Sequence, residues 1–241
     1  MRKILSRLRR AVDDYNMIEE GDRIAVGVSG GKDSLTLLCA LSELRRFYPK
    51  CFELVGVSID MGFDGTDFSE VAALCQRLGV EYIVEKTDIA EVVFDIRQEK
   101  NPCSLCAKMR RGGVNDLAVK NGCGKVALGH HNEDVIETFF LSLFYEGRLS
   151  CFSPVTYLSR RDIHVIRPMI YVPEGDIKGF AKRSALPVVL SNCPMDGKSK
   201  RRDMRDFIDE RRREDKFFKT KMMHAIQTGL PDWKINNQNE K

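Results

Sequence analysis

From Ile24 to Leu38 the chain reads IAVGVSGGKDSLTLL, an apolar run that breaks into Ser29, Gly30, Gly31, Lys32, Asp33 and Ser34 and then resumes with helical spacing. Such a run reads as strand, turn and helix. Paired glycines let the backbone turn sharply and bring its N–H groups close to a ligand. The first free amides of the following helix favour an anion where Ser34 sits. Lys32 adds a mobile positive charge. The spacing is not that of the Walker loop, which places four residues between its glycines and ends in Gly-Lys-Ser/Thr.

Further strand and helix signals alternate after it. Leu54 to Asp60 is an apolar run closed by an acid, Thr66 to Leu78 a capped helix with Cys75 on its apolar side, and Val80 to Val84 a third strand. Ile89 to Ile96 reads as a short helix, Lys125 to Gly129 as a fourth strand before a helix from Glu133 to Tyr145, and His164 to Met169 as a fifth or edge strand. Pro173 to Ser184 is a helix with proline at its start, Val188 to Leu190 is extended, and 200–224 is one charged helix. The expected fold is α/β, a doubly wound parallel sheet with helices on both faces. Residues 1–20 place Leu5, Leu8, Val12 and Tyr15 on one stripe of an N-terminal amphipathic helix that docks on the body or on a second subunit.

At 241 residues the chain holds one such domain with helical extensions. The net charge of +4 is concentrated at the two ends, in the first ten residues and between Lys198 and Lys221, over a mildly acidic body. That distribution fits an anionic macromolecule held at the periphery, or equally helix faces laced with i,i+4 ion pairs. The N-terminus MRKILSRLRR lacks the apolar core and cleavage site of a secretion signal, and no apolar run reaches the roughly 18 residues of a membrane span. The expectation is a cytoplasmic protein with reduced thiols.

In open α/β sheets the ligand lies beyond the carboxyl ends of the strands. Three segments therefore matter: SGGKDS, then Asp60-Met61-Gly62, then Gly129-His130-His131-Asn132-Glu133-Asp134. A carboxylate facing a triphosphate holds Mg²⁺ rather than the anion, which selects Asp134 with Asp33 as a helper. For His130 and His131, packing or capping of the next helix stands beside a functional role. Cys103 and Cys106 share one face at a helix start, where the helix dipole with Lys108, Arg110 and Arg111 is expected to favour the thiolate. Cys193 is the third candidate thiol, while Cys39, Cys51, Cys75, Cys123 and Cys151 read as core or turn residues.

SGGKDS, PCSLC followed by Arg110-Arg111-Gly112, LGHHNED with Glu137-Thr138, Val165-Ile166-Arg167-Pro168, and Asn192-Cys193, taken in this order, resemble the tRNA 2-thiocytidine biosynthesis (TtcA-like) family of PP-loop ATPases. The resemblance runs from about residue 1 to 233. It implies an adenine nucleotide α-hydrolase-like fold and a homodimer, with 1–20 an N-terminal helix, 21–172 the PP-loop ATPase domain and 173–241 a C-terminal extension carrying the third cysteine. It further implies ATP on Ser29 to Ser34, Arg167 near its phosphates, and a [4Fe–4S] cluster on Cys103, Cys106 and Cys193. The implied reaction is ATP-dependent tRNA thiolation by way of an adenylated base, with sulfide or a cysteine desulfurase as sulfur donor. Lys32, Asp33 and Asp134 would be its catalytic residues, and Asp60 and Gly129 would border the nucleotide.

Two positions depart from the family pattern. Glu133 stands where an aspartate is usual, and the late motif reads Cys193-Pro194-Met195-Asp196 instead of CxxC. A Cys₃Asp zinc site would use the same residues. Two rivals follow, a metal-free PP-loop tRNA-modifying ligase and a nucleotide-binding regulatory module with structural zinc.

Overall fold

The Ile24–Leu38 run occupies the middle of a six-stranded sheet. The computed structural model describes residues 1–98, 102–189, 193–194 and 200–235. In chain order these form α1 (Arg2–Asp14), β1 (Asp22–Gly27), α2 (Lys32–Arg45), β2 (Phe52–Asp60), α3 (Ser69–Arg77) and β3 (Glu81–Lys86). A π-helical turn (Glu91–Ile96) leads to α4 (Pro102–Lys120), β4 (Lys125–Ala127), α5 (Asn132–Glu146), β5 (Val155–Leu158) and β6 (Ile163–Ile166). Helices α6 (Glu174–Arg183), α7 (Lys200–Glu214) and α8 (Phe218–Gly229) follow, with a 3₁₀ turn (Pro231–Trp233) after them.

The strand order is β3-β2-β1-β4-β6-β5. Strand β1 pairs in parallel with β2 on one side and β4 on the other, so the order reverses between β1 and β4 and leaves a crevice at their carboxyl ends. Both faces are covered, and side chains alternate between them. Ile24 and Val26 enter the core shared with Leu35, Leu38 and Leu41 of α2, while Ala25 faces Leu117 and Ala118 of α4.

The first core also takes Ile4, Leu8 and Val12 of α1, Ile208 of α7, Ile226 of α8 and Trp233, so both ends of the chain share it. Trp233 is fully buried, its indole N–H donating to the Phe152 carbonyl at 3.1 Å and its own carbonyl accepting the Tyr15 hydroxyl at 3.0 Å. Trp233→Ala is expected to destabilise by about 3–5 kcal/mol, seen as a lower denaturant midpoint.

Two sequence expectations need correction. The sheet is not wholly parallel, because β5 pairs antiparallel with β6 through a turn in which Asp162 takes φ of +52°. Four half-exposed residues gave no periodic signal. The 200–224 helix is two helices: the Asp215 carboxylate accepts the Phe217 N–H at 2.9 Å and its carbonyl accepts that of Phe218, which ends α7 and starts α8. The short helix expected at Ile89–Ile96 is present, its last six residues wound as a π-helix. Val188 and Val189 do not join the sheet, and Leu190 falls outside the described residues.

Candidate active site

The crevice is bounded by the loop after β1 and the loop after β4, and the two touch. A Cβ built on Gly129 would lie 3.1 Å from the Asp33 carbonyl group and the Ser34 nitrogen, so a side chain here would force these backbones a few tenths of an ångström apart. Gly30 has φ of +80°, and its carbonyl accepts the Val189 N–H at 3.0 Å, which lays 188–189 against the loop. Ser34 holds the turn shut: its Oγ donates to the Gly31 carbonyl at 2.9 Å and accepts the Ser29 N–H at 3.1 Å. Gly31 is the N-cap of α2, so the helix amides that follow open onto the crevice.

Gly129→Ala is expected to push the two loops apart and weaken ATP binding while leaving the unfolding transition close to wild type. Nucleotide titration of the folded variant checks this, and unchanged ATP affinity contradicts the close approach.

Lys32 reaches Asp33 at 3.0 Å and Glu174 at 3.1 Å. Burial pulls its pKa down, but the two carboxylates outweigh burial and raise it, so the ammonium stays charged. Glu174 also takes Lys178 at 2.9 Å and opens α6. Sequence reading missed it, since nothing in its helix-start context ties it to a lysine so distant along the chain.

His131 caps α5: it is the N-cap residue, and the Asp134 carboxylate accepts its backbone N–H at 2.9 Å. Its ring is 2% exposed and lies among Glu133 at 3.4 Å, Asp134 at 3.5 Å and Asp33 at 3.9 Å. Burial lowers its pKa, but these carboxylates raise it overall. Asp33 keeps one buried carboxylate oxygen, Oδ1, without a hydrogen-bond partner among the described residues. Mg²⁺ on a nucleotide needs only one or two protein carboxylates, because phosphates and waters fill the rest of its shell. Asp33 with Asp134 fits that requirement.

Glu133 has a different task. One oxygen takes Lys219 of α8 at 2.9 Å and the other the Glu174 N–H at 2.8 Å. Burial opposes the charge, yet the hydrogen bonds from His131, Lys219 and Glu174 hold its pKa down at about 2. With both oxygens occupied, Glu133 ties α5 to α6 and α8. His130 is neutral, its pKa driven to about 3 by burial and by Arg167 and Arg201. Its ring packs on Phe152 at 4.8 Å. Arg167 lies over the Phe152 ring, 5.1 Å from its centroid, and donates to the Ser153 carbonyl at 2.6 Å and the Thr156 hydroxyl at 3.0 Å. It has no carboxylate partner among the described residues, and burial lowers its pKa to about 10. Asp60, at the end of β2, accepts the Gly62 N–H at 3.0 Å and shapes the next turn.

The thiols lie at this same carboxyl edge. Cys103 and Cys106 start α4, and Cys106 Sγ is 3.6 Å from the Met61 sulfur just beyond β2. Cys193 and Cys103 both lie near enough to Cys106 to act on it electrostatically. The expected thiolate-favouring shift is not found at Cys106: burial raises its pKa and outweighs Arg110, and Cys193 and Cys103 add to the rise. A bound metal would supply the missing positive charge. Among the described residues no three His, Cys, Asp or Glu close on a single ion, as tetrahedral zinc requires. A [4Fe–4S] cluster binds each cysteine thiolate through a different iron, so its ligands need not close on one ion. Asp196, Met195 and Asn192 fall outside the described residues.

The basic ends are largely committed. Arg205 pairs with the buried Glu137 at 2.9 Å, and Arg201 lies 3.6 Å from Asp134 and 3.8 Å from Glu137. In α1, Arg7 pairs with Asp176, Arg9 with Asp13 and Arg10 with Asp14. Ion pairs account for these five arginines, and Arg201 and Arg205, exposed as they are, join α7 to α5.

A family profile described as a PP-loop domain matches residues 2–211. A curated relative from Geobacter metallireducens, a tRNA-cytidine(32) 2-sulfurtransferase, is 40% identical over 233 residues, covering 95% of this chain and 91% of that one. The protein of the same name from Geobacter sulfurreducens is 39% identical over 241 residues, covering 98% and 93%. Among solved structures, the U34-tRNA thiolase NcsA from Methanococcus maripaludis with its [4Fe–4S] cluster is similar in fold. Its TM-score is 0.76 at 23% identity, covering 92% of this chain and 77% of that one.

Proposed function

The chain belongs to the PP-loop ATPases and within them to the tRNA-cytidine(32) 2-sulfurtransferase family, and from that premise we propose that it uses ATP to replace O2 of an anticodon-loop tRNA cytidine by sulfur. One observation carries the reading: the phosphate loop and the thiols open on the same carboxyl edge of the sheet, at and beside the point where strand order reverses.

In the first step the backbone of Gly30 and Gly31, the α2 amides and Lys32 hold the ATP phosphates. Asp33 and Asp134 would hold Mg²⁺ on them. The cytidine O2 attacks the α-phosphorus, the bond to the bridging oxygen breaks, and pyrophosphate leaves along the loop. In the second step a sulfur nucleophile at the oxidation level of hydrosulfide adds to C2. AMP then departs with the former O2, and the sulfur's proton goes to solvent, so no external oxidant or reductant is consumed. The buried, neutral His130 and the uncompensated Arg167 make the crevice wall one that favours phosphate over a cation. Cys103, Cys106 and Cys193 would hold a [4Fe–4S] cluster, which would supply soft iron for the sulfur chemistry.

The proposal includes a homodimer and, as donor, sulfide or a cysteine desulfurase whose persulfide sulfur a thiol reductant first takes to hydrosulfide. Exposed Phe144, Tyr145 and Leu149 at the end of α5 offer an apolar face for the homodimer. No helix among the described residues is long and apolar enough to cross a membrane, and a tRNA substrate supports a cytoplasmic enzyme. Nucleoside mass spectrometry of tRNA from cells with and without the gene tests the reading. The 2-thiocytidine signal should vanish on deletion and return with the wild-type gene, and a signal that persists contradicts it.

A further inference from the structure

Most cations around the crevice already have carboxylate partners: Lys32 has Asp33 and Glu174, Lys219 has Glu133, and Arg205 has Glu137. Lys108, Arg110 and Arg111 differ. All three are exposed on the turns of α4 that follow Cys106, and none has a carboxylate within ion-pair distance among the described residues. The guanidinium of Arg111 is fixed only by its own helix, Nε donating to the Ala107 carbonyl at 3.2 Å. Arg110 acts on the Cys106 thiol, and Arg111 on His130 and Arg167, so the row runs from the thiols to the crevice wall.

An aromatic pair borders the start of α4, where Phe94 packs in one cluster with Met61, Leu105, Cys106 and Met109. Met61, against Cys106, is tied to the chain ahead by its carbonyl, which accepts the Ala90 N–H at 2.8 Å. Two residues on, Phe63 packs on Phe94 at 5.9 Å between ring centroids, and Phe94 belongs to the π-turn. Such turns recur at functional sites because they re-aim one side chain out of a helix.

We propose that this rim receives the single-stranded tRNA loop, with Lys108, Arg110 and Arg111 on backbone phosphates and the Phe63–Phe94 ledge under a base next to the target. Single strands are held in this way, by a cationic track that follows the backbone and by aromatic faces on which bases stack. Loop bases can be splayed out to reach both. The inference rests on the tRNA reading above and gives it a surface on α4 in place of α7.

The test is anisotropy of a labelled anticodon stem-loop RNA against the full-length, iron-loaded protein over a range of salt. In the Lys108, Arg110 and Arg111 triple Ala variant, the slope of log affinity against log salt should fall by about 2, from about 0.7 per lost phosphate contact. The charge-keeping variant Lys108→Arg, Arg110→Lys, Arg111→Lys should retain the wild-type slope. Phe63→Ala should weaken binding about tenfold with the slope unchanged. ATP affinity and iron content should match wild type in all three variants. A triple Ala variant of Arg202, Arg212 and Arg213, exposed on α7, should bind as wild type does. A wild-type slope in the α4 variant, or a flattened slope in the α7 variant, overturns the surface alone. Wild-type protein that binds no RNA at any salt overturns the tRNA reading with it.

Discussion

Lys32→Ala should lower ATP-dependent pyrophosphate release by about 10²–10³-fold, the effect of removing one preorganised charge from a phosphate in a confined site. The ammonium is held at the mouth of the loop by Asp33 and Glu174 and remains charged. Its removal leaves Glu174 paired with Lys178, so the fold should survive. AMP and pyrophosphate measured in single turnover check the rate, and circular dichroism checks the fold. Release at the wild-type rate from a folded Lys32→Ala protein would mean that SGGKDS does not hold the phosphates.

Loss of any one of Cys103, Cys106 or Cys193 should abolish 2-thiocytidine formation and strip iron and sulfide from the anaerobically purified protein, with ATP binding preserved. Two thiolates cannot replace three, and none of these side chains belongs to the phosphate loop. Cys39, Cys75 and Cys123 are buried, and burial raises the pKa of each. Ala at those positions should leave the iron content unchanged. Wild-type protein is expected to be brown, with broad absorbance in the visible. Colourless protein that carries zinc on the same three thiols would restore the regulatory-module reading.

The parts of this protein legible in its sequence are those set by short-range rules. A glycine pair between a strand and a helix can be recognised as an anion loop because the turn, the helix amides and the lysine all lie within a few residues. The parallel strands β1, β2 and β4 were readable as unbroken apolar runs because they are buried on both faces. Strand β5 was not, since four half-exposed residues at a sheet edge carry no period. The break between α7 and α8 depends on one carboxylate turning back on its own backbone, and a run of charges hides it.

At the site, the candidate residues cluster where the strand ends predicted, but their partners could not be foreseen. Glu133 was singled out only as a departure from a pattern. The longer side chain is what bridges Lys219 of α8 and the N-terminus of α6. Glu174 carried no signal at all. Net charge located basic segments without saying which charges were spent on buried carboxylates. Arg205 is paired with Glu137, whereas Arg110, outside both basic ends, has no such partner among the described residues. Pairing across the fold depends on long-range packing, which local composition does not encode.

The most direct test of the central claim is to follow AMP and 2-thiocytidine together in one anaerobic reaction of iron-loaded protein, unmodified tRNA, Mg·ATP and sulfide. Adenylation followed by displacement predicts that the two appear in equal amounts, that neither forms when tRNA is left out, and that tRNA without ATP gains no sulfur. AMP accumulating with no thiolated nucleoside, or sulfur entering tRNA without ATP, would contradict it.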